Sequence, residues 1–311
     1  MYCFVFPGQG SQEPGMGRSF VDTASWRLVE EASDVCGRDV GHLLLAADAE
    51  DLVATRNAQL GTFVQSMVAL DALRTAGIAP DATAGHSLGE FSALVAAGVI
   101  DFADGVRLVH ERGEAMQACI EETPGTMAAV LGLDLDAVDS LCAAARAEGH
   151  EVWMANNNAP GQVVVAGSPA GVAAAGDAAK DAGAKRFVAL DVSGAFHTPH
   201  MAPAGERLDS AVAGTAMRDA AVPIVANVDA AVHTDGASWP DLLSRQLTSP
   251  VRWAQSVEHL RGLGVTAFVE IGPGAVLTGT VKRIDRAAGR HTVSTADDVA
   301  PTAAAIAEAM A

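Results

Sequence analysis

The sequence is poor in positive charge. It has 20 Lys and Arg against 38 Asp and Glu, a formal net charge of −18 over 311 residues. Nucleic acids and anionic membranes bind proteins through clustered Lys and Arg. We therefore expect no nucleic acid and no membrane among the partners. An anionic partner would need a local basic patch, for which two pairs are candidates: Lys185 with Arg186, and Lys282 with Arg283.

Cysteines and long apolar runs are also scarce. The four cysteines are scattered without a CxxC pair, so neither a zinc site nor a disulfide framework is indicated, and we predict no metal. No apolar run reaches membrane-spanning length, and a strand-like run follows Met1 where a secretory signal would need a basic segment. These absences predict a cytoplasmic protein.

Half of the residues are apolar and 19% are charged, which is typical of a compact enzyme. Short apolar runs at 2–6, 82–85, 223–228 and 266–271 are bounded by Gly, Pro or polar residues and predict buried strands, the last two of them parallel. The spacing of apolar residues predicts a helix over 62–76. The Ala-rich tail, 302–311, predicts a terminal helix.

The segment 124–192 has a different order of predicted strands and helices from the rest of the chain. Its pattern predicts strand, helix, strand, strand, helix, strand, which is the ferredoxin-like βαββαβ order. Because the segment is contiguous, we predict a small inserted subdomain of residues 124–192. The rest, 1–123 and 193–311, is then an α/β large subdomain with a parallel sheet.

The segment from Gly85 to Gly89 reads Gly-His-Ser-Leu-Gly and matches the G-x-S-x-G pattern between a predicted strand and a predicted helix. In that context the pattern places a serine on a sharp turn, here Ser87, with the backbone N–H of Leu88 facing a developing oxyanion. A serine nucleophile also needs a base. Among the nine histidines, His86, His197 and His200 lie in loop contexts and are the candidates. Read alone, the pattern could also arise by chance in a sequence with 31 glycines.

Further motifs occur along nearly the whole chain: Gly8-Gln9-Gly10-Ser11-Gln12, Gly85-His86-Ser87-Leu88-Gly89-Glu90, Arg112-Gly113, Asn156 with Pro160-Gly161-Gln162, Gly194-Ala195-Phe196-His197, Asn227-Val228, Arg245-Gln246-Leu247, Pro250-Val251 and Gly272-Pro273-Gly274. In order and spacing these motifs resemble the malonyl-CoA:acyl carrier protein transacylase family. The resemblance implies an α/β-hydrolase-like large subdomain.

The resemblance also implies the catalytic roles. Ser87 would attack the malonyl thioester and His197 would take its proton. The backbone amides of Gln9 and Leu88 would hold the oxyanion. A backbone carbonyl near Gln246, rather than an aspartate, would orient the histidine. The reaction would be ping-pong, with the phosphopantetheine thiol of an acyl carrier protein as the second substrate.

Substrate contacts follow from the same resemblance. Arg112 would clamp the malonyl carboxylate through two charge-assisted hydrogen bonds, although by itself it could be an ordinary helix-surface arginine. Phe196 would crowd an α-methyl branch, which favours malonyl over branched units, and Asn156 would also contact the substrate. Gly194 replaces the first histidine of the polyketide His-Ala-Phe-His motif. His200 is interpreted as a solvated loop residue without a chemical role.

The implied partners are malonyl-CoA and an acidic acyl carrier protein, in fatty acid or polyketide synthesis. Coenzyme A enters as part of the substrate, so no cofactor is expected, and a monomer is the default. Three alternatives stay open: a hydrolase that edits acyl groups on carrier proteins, an acyltransferase for an unusual acyl unit, and a non-catalytic carrier-binding relative. Intact Ser87, His197, Gln9 and Gln246 argue against the last.

Overall fold

The computed structural model describes residues 1–192 and 194–310. Ser193, at which the second part of the predicted large subdomain begins, and Ala311, the end of the predicted terminal helix, lie outside the described residues. Two separate sheets organise the chain, one of six strands and one of four. The α/β fold class predicted from the sequence is confirmed.

The six-stranded sheet has the order β10-β9-β1-β2-β7-β8. Its strands are β1 (Tyr2–Phe6), β2 (Ala82–Gly85), β7 (Ile224–Val225), β8 (Val232–His233), β9 (Ala267–Ile271) and β10 (Gly289–Val293). All neighbours are parallel except β7 and β8. β1, β2 and β9 are buried along their whole length, as expected for a parallel sheet that is covered on both faces.

The four-stranded sheet is antiparallel, with the order β4-β5-β3-β6. Its strands are β3 (Thr126–Leu131), β4 (Val152–Ala159), β5 (Gln162–Gly167) and β6 (Arg186–Ala189). Helix α7 (Leu135–Ala147) follows β3 and α8 (Pro169–Asp181) follows β5, and together they cover one face. The βαββαβ order predicted for 124–192 is therefore observed, while the exact subdomain boundaries stay a prediction.

The remaining helices surround the larger sheet. They are α1 (Arg27–Cys36), α2 (Val40–Leu45), α3 (Ala49–Val53), α4 (Thr55–Thr75), α5 (Gly89–Ala96), α6 (Phe102–Glu122), α9 (Ala202–Ala213), α10 (Trp239–Gln246), α11 (Trp253–Gly262), α12 (Val276–Ile284) and α13 (Val299–Met310). No helix among the described residues is both long and apolar enough to span a bilayer.

Two predicted elements differ clearly in length from the observed ones. Helix α4 begins at Thr55 rather than at residue 62; its first two turns were missed because they are rich in polar residues and show no apolar spacing. The strand predicted over 223–228 is reduced to Ile224–Val225. Asn227, just beyond that strand, turns its side chain to Ser87 and Gly85 rather than continuing the ladder.

The fold brings the loops that carry the motifs to one edge. Strands β1 and β2 run parallel, so the loop after Phe6 and the turn after Gly85 leave the sheet side by side. A backbone bridge between Asn156 and Val251 joins β4 to the larger body. The small sheet therefore faces the carboxyl ends of the central strands, which is where open α/β sheets bind ligands.

Candidate active site

Ser87 lies on a sharp turn between β2 and α5. Its φ angle is 53°, in the left-handed region that non-glycine residues rarely adopt. A Cβ on Gly85 would lie 1.9 Å from the backbone of Gly89, and a Cβ on Gly89 would lie 2.0 Å from the carbonyl oxygen of Phe6. Only glycine fits at both positions. The turn is thus held in the strained geometry of a nucleophile elbow.

The imidazole of His197 lies against the serine hydroxyl. Its Nε2 is 2.8 Å from Ser87 Oγ, and its Nδ1 is 2.9 Å from the backbone carbonyl oxygen of Gln246. Because a carbonyl oxygen only accepts hydrogen bonds, Nδ1 carries the proton of the neutral ring, which leaves the Nε2 lone pair facing Ser87. Burial, and secondly the charge of Arg112, lower the pKa of His197 to about 3. The ring is therefore neutral at pH 7 and able to accept a proton.

Arg112 is fully buried beside the same hydroxyl. Its Nη2 donates to Ser87 Oγ at 3.1 Å and to Gln246 Oε1 at 3.0 Å, and its Nη1 donates to Gln59 Oε1. The guanidinium carbon lies 5.5 Å from the ring centroid of Phe91. Burial lowers the pKa of Arg112 to about 10, so the group stays charged at neutral pH. The interpretation as a helix-surface arginine is wrong.

A cavity of about 180 Å³ opens onto the serine. Eight residues were given a catalytic, oxyanion or substrate-binding role from the sequence, and five of them line this cavity: Ser87, His197, Gln9, Phe196 and Asn156. The other three are fully buried beside Ser87: Leu88 follows it in the chain, and Arg112 and Gln246 donate hydrogen bonds to it. The structure therefore brings all eight sequence-predicted residues to one place.

Two of the cavity residues depend on close packing. Phe196 is 6% exposed, and a Cβ on Gly194 would meet the Phe196 ring at 2.6 Å and Ile120 at 2.9 Å. Gly194 thus leaves room for this rotamer of Phe196. Gln9 accepts a 3.2 Å hydrogen bond from Gln59, which ties the first loop to α4. Within residues 1–192 and 194–310, no hydrogen bond uses the backbone N–H of Gln9 or Leu88.

Sequence reasoning assigned no role to Gln59, Asn227 or Glu90. Asn227 accepts the backbone N–H of Ser87 at 2.7 Å and donates to the carbonyl of Gly85 at 2.6 Å, so it clamps the turn from both sides. Glu90 is 1% exposed and accepts from the Asn227 backbone and the Gln246 side chain. Glu90 is the single charged residue of helix α5, and this was the signal available in the sequence.

Two further residues can now be placed. Arg283 donates to Gln162, which lines the cavity, so this candidate for the basic patch lies near the mouth. His200 was expected to be solvated, and that prediction is wrong: its side chain is 9% exposed, with the ring 5.4 Å from the centroid of Trp153. No cluster of His, Cys, Asp or Glu able to hold a metal occurs in the part of the chain that the structure describes.

Comparison with known proteins agrees with this geometry. The family model for the acyl transferase domain matches residues 3–304. The malonyl CoA-acyl carrier protein transacylase of Bacillus subtilis (strain 168) is 44% identical over 286 residues, which are 91% of this chain and 90% of that protein.

Solved structures of malonyltransferases are also similar to this chain. The acyl-carrier-protein S-malonyltransferase from Burkholderia pseudomallei 1710b has a TM-score of 0.93 at 42% identity, covering 97% of this chain and 99% of its own. A malonyl-transacylase in complex with its type II PKS acyl-carrier protein also has a TM-score of 0.93, at 39% identity, with 97% and 99% covered.

Proposed function

The chain belongs to the malonyl CoA-acyl carrier protein transacylase family, and from this we propose that it transfers malonyl from coenzyme A to an acyl carrier protein through an ester on Ser87. It is an acyltransferase of fatty acid or polyketide synthesis. One observation supports the site assignment above all others: Ser87 Oγ contacts both His197 Nε2, a base, and Arg112 Nη2, a cation.

In the first half-reaction, Ser87 Oγ attacks the thioester carbon while its proton passes to His197 Nε2. The tetrahedral oxyanion accepts hydrogen bonds from the backbone N–H groups of Gln9 and of Leu88, and Leu88 lies at the start of α5. When the carbon–sulfur bond breaks, the imidazolium returns its proton to the departing coenzyme A thiolate. The carbonyl of Gln246 keeps the ring oriented throughout.

The second half-reaction runs through the same groups in reverse. The phosphopantetheine thiol of the carrier gives its proton to His197 Nε2 and attacks the seryl ester. The tetrahedral intermediate then collapses, and Ser87 leaves with the proton returned by His197. Because the thioester is already an activated acyl donor, this chemistry needs no cofactor.

The malonyl carboxylate is assigned to Arg112. One methylene separates that carboxylate from the carbon that Ser87 attacks, so its binding group must lie beside the serine. Arg112 Nη2 is 3.1 Å from Ser87 Oγ, and the buried Nε has no hydrogen-bond partner among the described residues. Phe196 and Asn156 line the same cavity. We assign Phe196 to excluding an α-branch and Asn156 to contacting the acyl-thioester.

We also propose a cytoplasmic location, because the four free cysteines are typical of a reducing compartment. We further propose that the enzyme is a monomer with a large subdomain of residues 1–123 and 193–311 and a small subdomain of residues 124–192.

Carrier forms with and without the prosthetic group test the transfer. The enzyme is given malonyl-CoA together with either the phosphopantetheinylated carrier or the apo carrier, and the carrier mass and free malonate are followed. We expect malonyl on the phosphopantetheinylated carrier alone, with little malonate. Rapid malonate release with no malonyl-carrier would replace the transferase with the editing hydrolase.

A further inference from the structure

Glu90 is a buried carboxylate that the mechanism above does not use. It is 1% exposed and lies on the first turn of α5, three residues after Ser87. The other acidic residue among the buried side chains of the described part is Glu270, whose oxygens accept the backbone N–H groups of Leu277 and Thr278 at the start of α12. Glu90 instead faces the catalytic groups.

Both carboxylate oxygens of Glu90 accept hydrogen bonds. Oε1 accepts the backbone N–H of Asn227 at 2.7 Å, and Oε2 accepts Gln246 Nε2 at 2.6 Å. Gln246 Nε2 also donates to the carbonyl of Ser87 at 2.9 Å, while its Oε1 accepts from Arg112 at 3.0 Å. The Gln246 amide is therefore fixed between a carboxylate and a guanidinium, with its NH₂ toward the negative group and its oxygen toward the positive one.

The pattern of donors and acceptors requires a carboxylate at position 90. A glutamine there would have one oxygen and one NH₂, so its NH₂ would face either the Asn227 N–H or the Gln246 NH₂. Rotating the Gln246 amide would not help, because its NH₂ would then face Arg112 and its oxygen would face the carbonyl of Ser87. The ionised carboxylate, which only accepts hydrogen bonds, satisfies all of these groups together.

We infer that Glu90 is a positioning residue for acyl transfer: its ionised carboxylate locks Gln246 and Asn227, which in turn hold His197, Arg112 and the Ser87 turn in place. The inference rests on the proposed function. Asn227 transmits the effect to Ser87 through its bonds to the turn, and Gln246 transmits it to His197 through its backbone carbonyl.

If the ionised form of Glu90 positions the catalytic groups, the acylation rate should depend on pH. Burial raises the pKa of Glu90 to about 7, against the opposing hydrogen bonds of Asn227 and Gln246 and the charge of Arg112 on α6. Asp229, in the loop between β7 and β8, raises it further. His197 stays neutral far below pH 7, since its pKa is lowered to about 3. A fall in acylation rate as pH drops through 7 is therefore assigned to Glu90 and not to the base.

The test compares single-turnover acylation by malonyl-CoA in the wild-type chain, Glu90→Gln and Glu270→Gln from pH 5 to 8.5. We expect the wild-type rate to fall on the acid side of pH 7. Glu90→Gln should be slower by about 10²-fold at pH 8, the loss expected from a small misplacement of reacting groups, with the half-saturating malonyl-CoA concentration little changed and the acid limb abolished. Glu270→Gln, which loses a buried carboxylate elsewhere, should lower the melting temperature while keeping the acid limb.

Three outcomes overturn the inference. These are a wild-type rate that is flat from pH 5 to 8, a Glu90→Gln rate within threefold of wild type at pH 8, and an acid limb near pH 7 that survives in Glu90→Gln. The first needs no variant, so a Glu90→Gln chain that fails to fold leaves the inference testable. Absence of any malonyl label on the wild-type chain would instead refute the proposed function.

Discussion

Removing the guanidinium of Arg112 should change which acyl group the enzyme prefers. In Arg112→Ala a malonyl donor loses two charge-assisted hydrogen bonds, each worth about 1.5–3 kcal/mol. At the lower limit this is about 3 kcal/mol, or about 10²-fold in the ratio of kcat/KM for malonyl-CoA to that for acetyl-CoA. Arg112 also donates to Ser87 and Gln246, so acetyl transfer should fall too, by about tenfold.

The assay measures kcat/KM for both donors, with a phosphopantetheinylated carrier as acceptor, in wild type, Arg112→Ala and Arg107→Ala. Arg107 is the matched control because it lies on the same helix but is exposed and paired with Asp104. We expect the control to keep the wild-type ratio. Equal losses on the two donors in Arg112→Ala would refute the carboxylate clamp, even if the enzyme became slow.

The remaining predictions concern the other groups at the serine. Ser87→Ala should fold and form no acyl-enzyme, and full labelling of this variant would remove the nucleophile assignment. His197→Ala should slow acylation by about 10²–10⁴-fold; a near-normal stopped-flow rate would give the base role to another group. Gly89→Ala should lower the melting temperature sharply, since its Cβ would lie 2.0 Å from the Phe6 carbonyl oxygen, and unchanged melting would contradict the close approach. The lowered pKa of His197, about 3 in the fold, contributes stability that is present above about pH 6.5 and lost as pH falls toward 3. The melting-temperature difference between wild type and His197→Gln should shrink over that range, and a constant difference would contradict the shift.

The sequence allowed the local part of the site to be predicted. The turn around Ser87 is specified by residues a few positions apart, and the two glycines are required by contacts with Gly89 and Phe6. The inserted βαββαβ unit was also predictable, because its strands and helices alternate within one contiguous stretch. Both cases depend on short-range patterns that a single chain displays directly.

Contacts between residues far apart in the sequence could not be predicted from composition and spacing. His197 is 110 positions from Ser87, and the bonds of Glu90 reach 137 and 156 positions along the chain. The family resemblance predicted the pairing of His197 with Ser87, but it assigned no role to Glu90. His200 was misjudged for the same reason, because the ring of Trp153 that covers it comes from β4 in the small sheet.

The most direct test of the account is the intact mass of the protein after brief exposure to malonyl-CoA, followed by addition of a phosphopantetheinylated acyl carrier protein. We predict one malonyl adduct, mapped to Ser87, which disappears as malonyl-carrier forms. An adduct on another residue, or no adduct from malonyl-CoA, would contradict the seryl-ester mechanism.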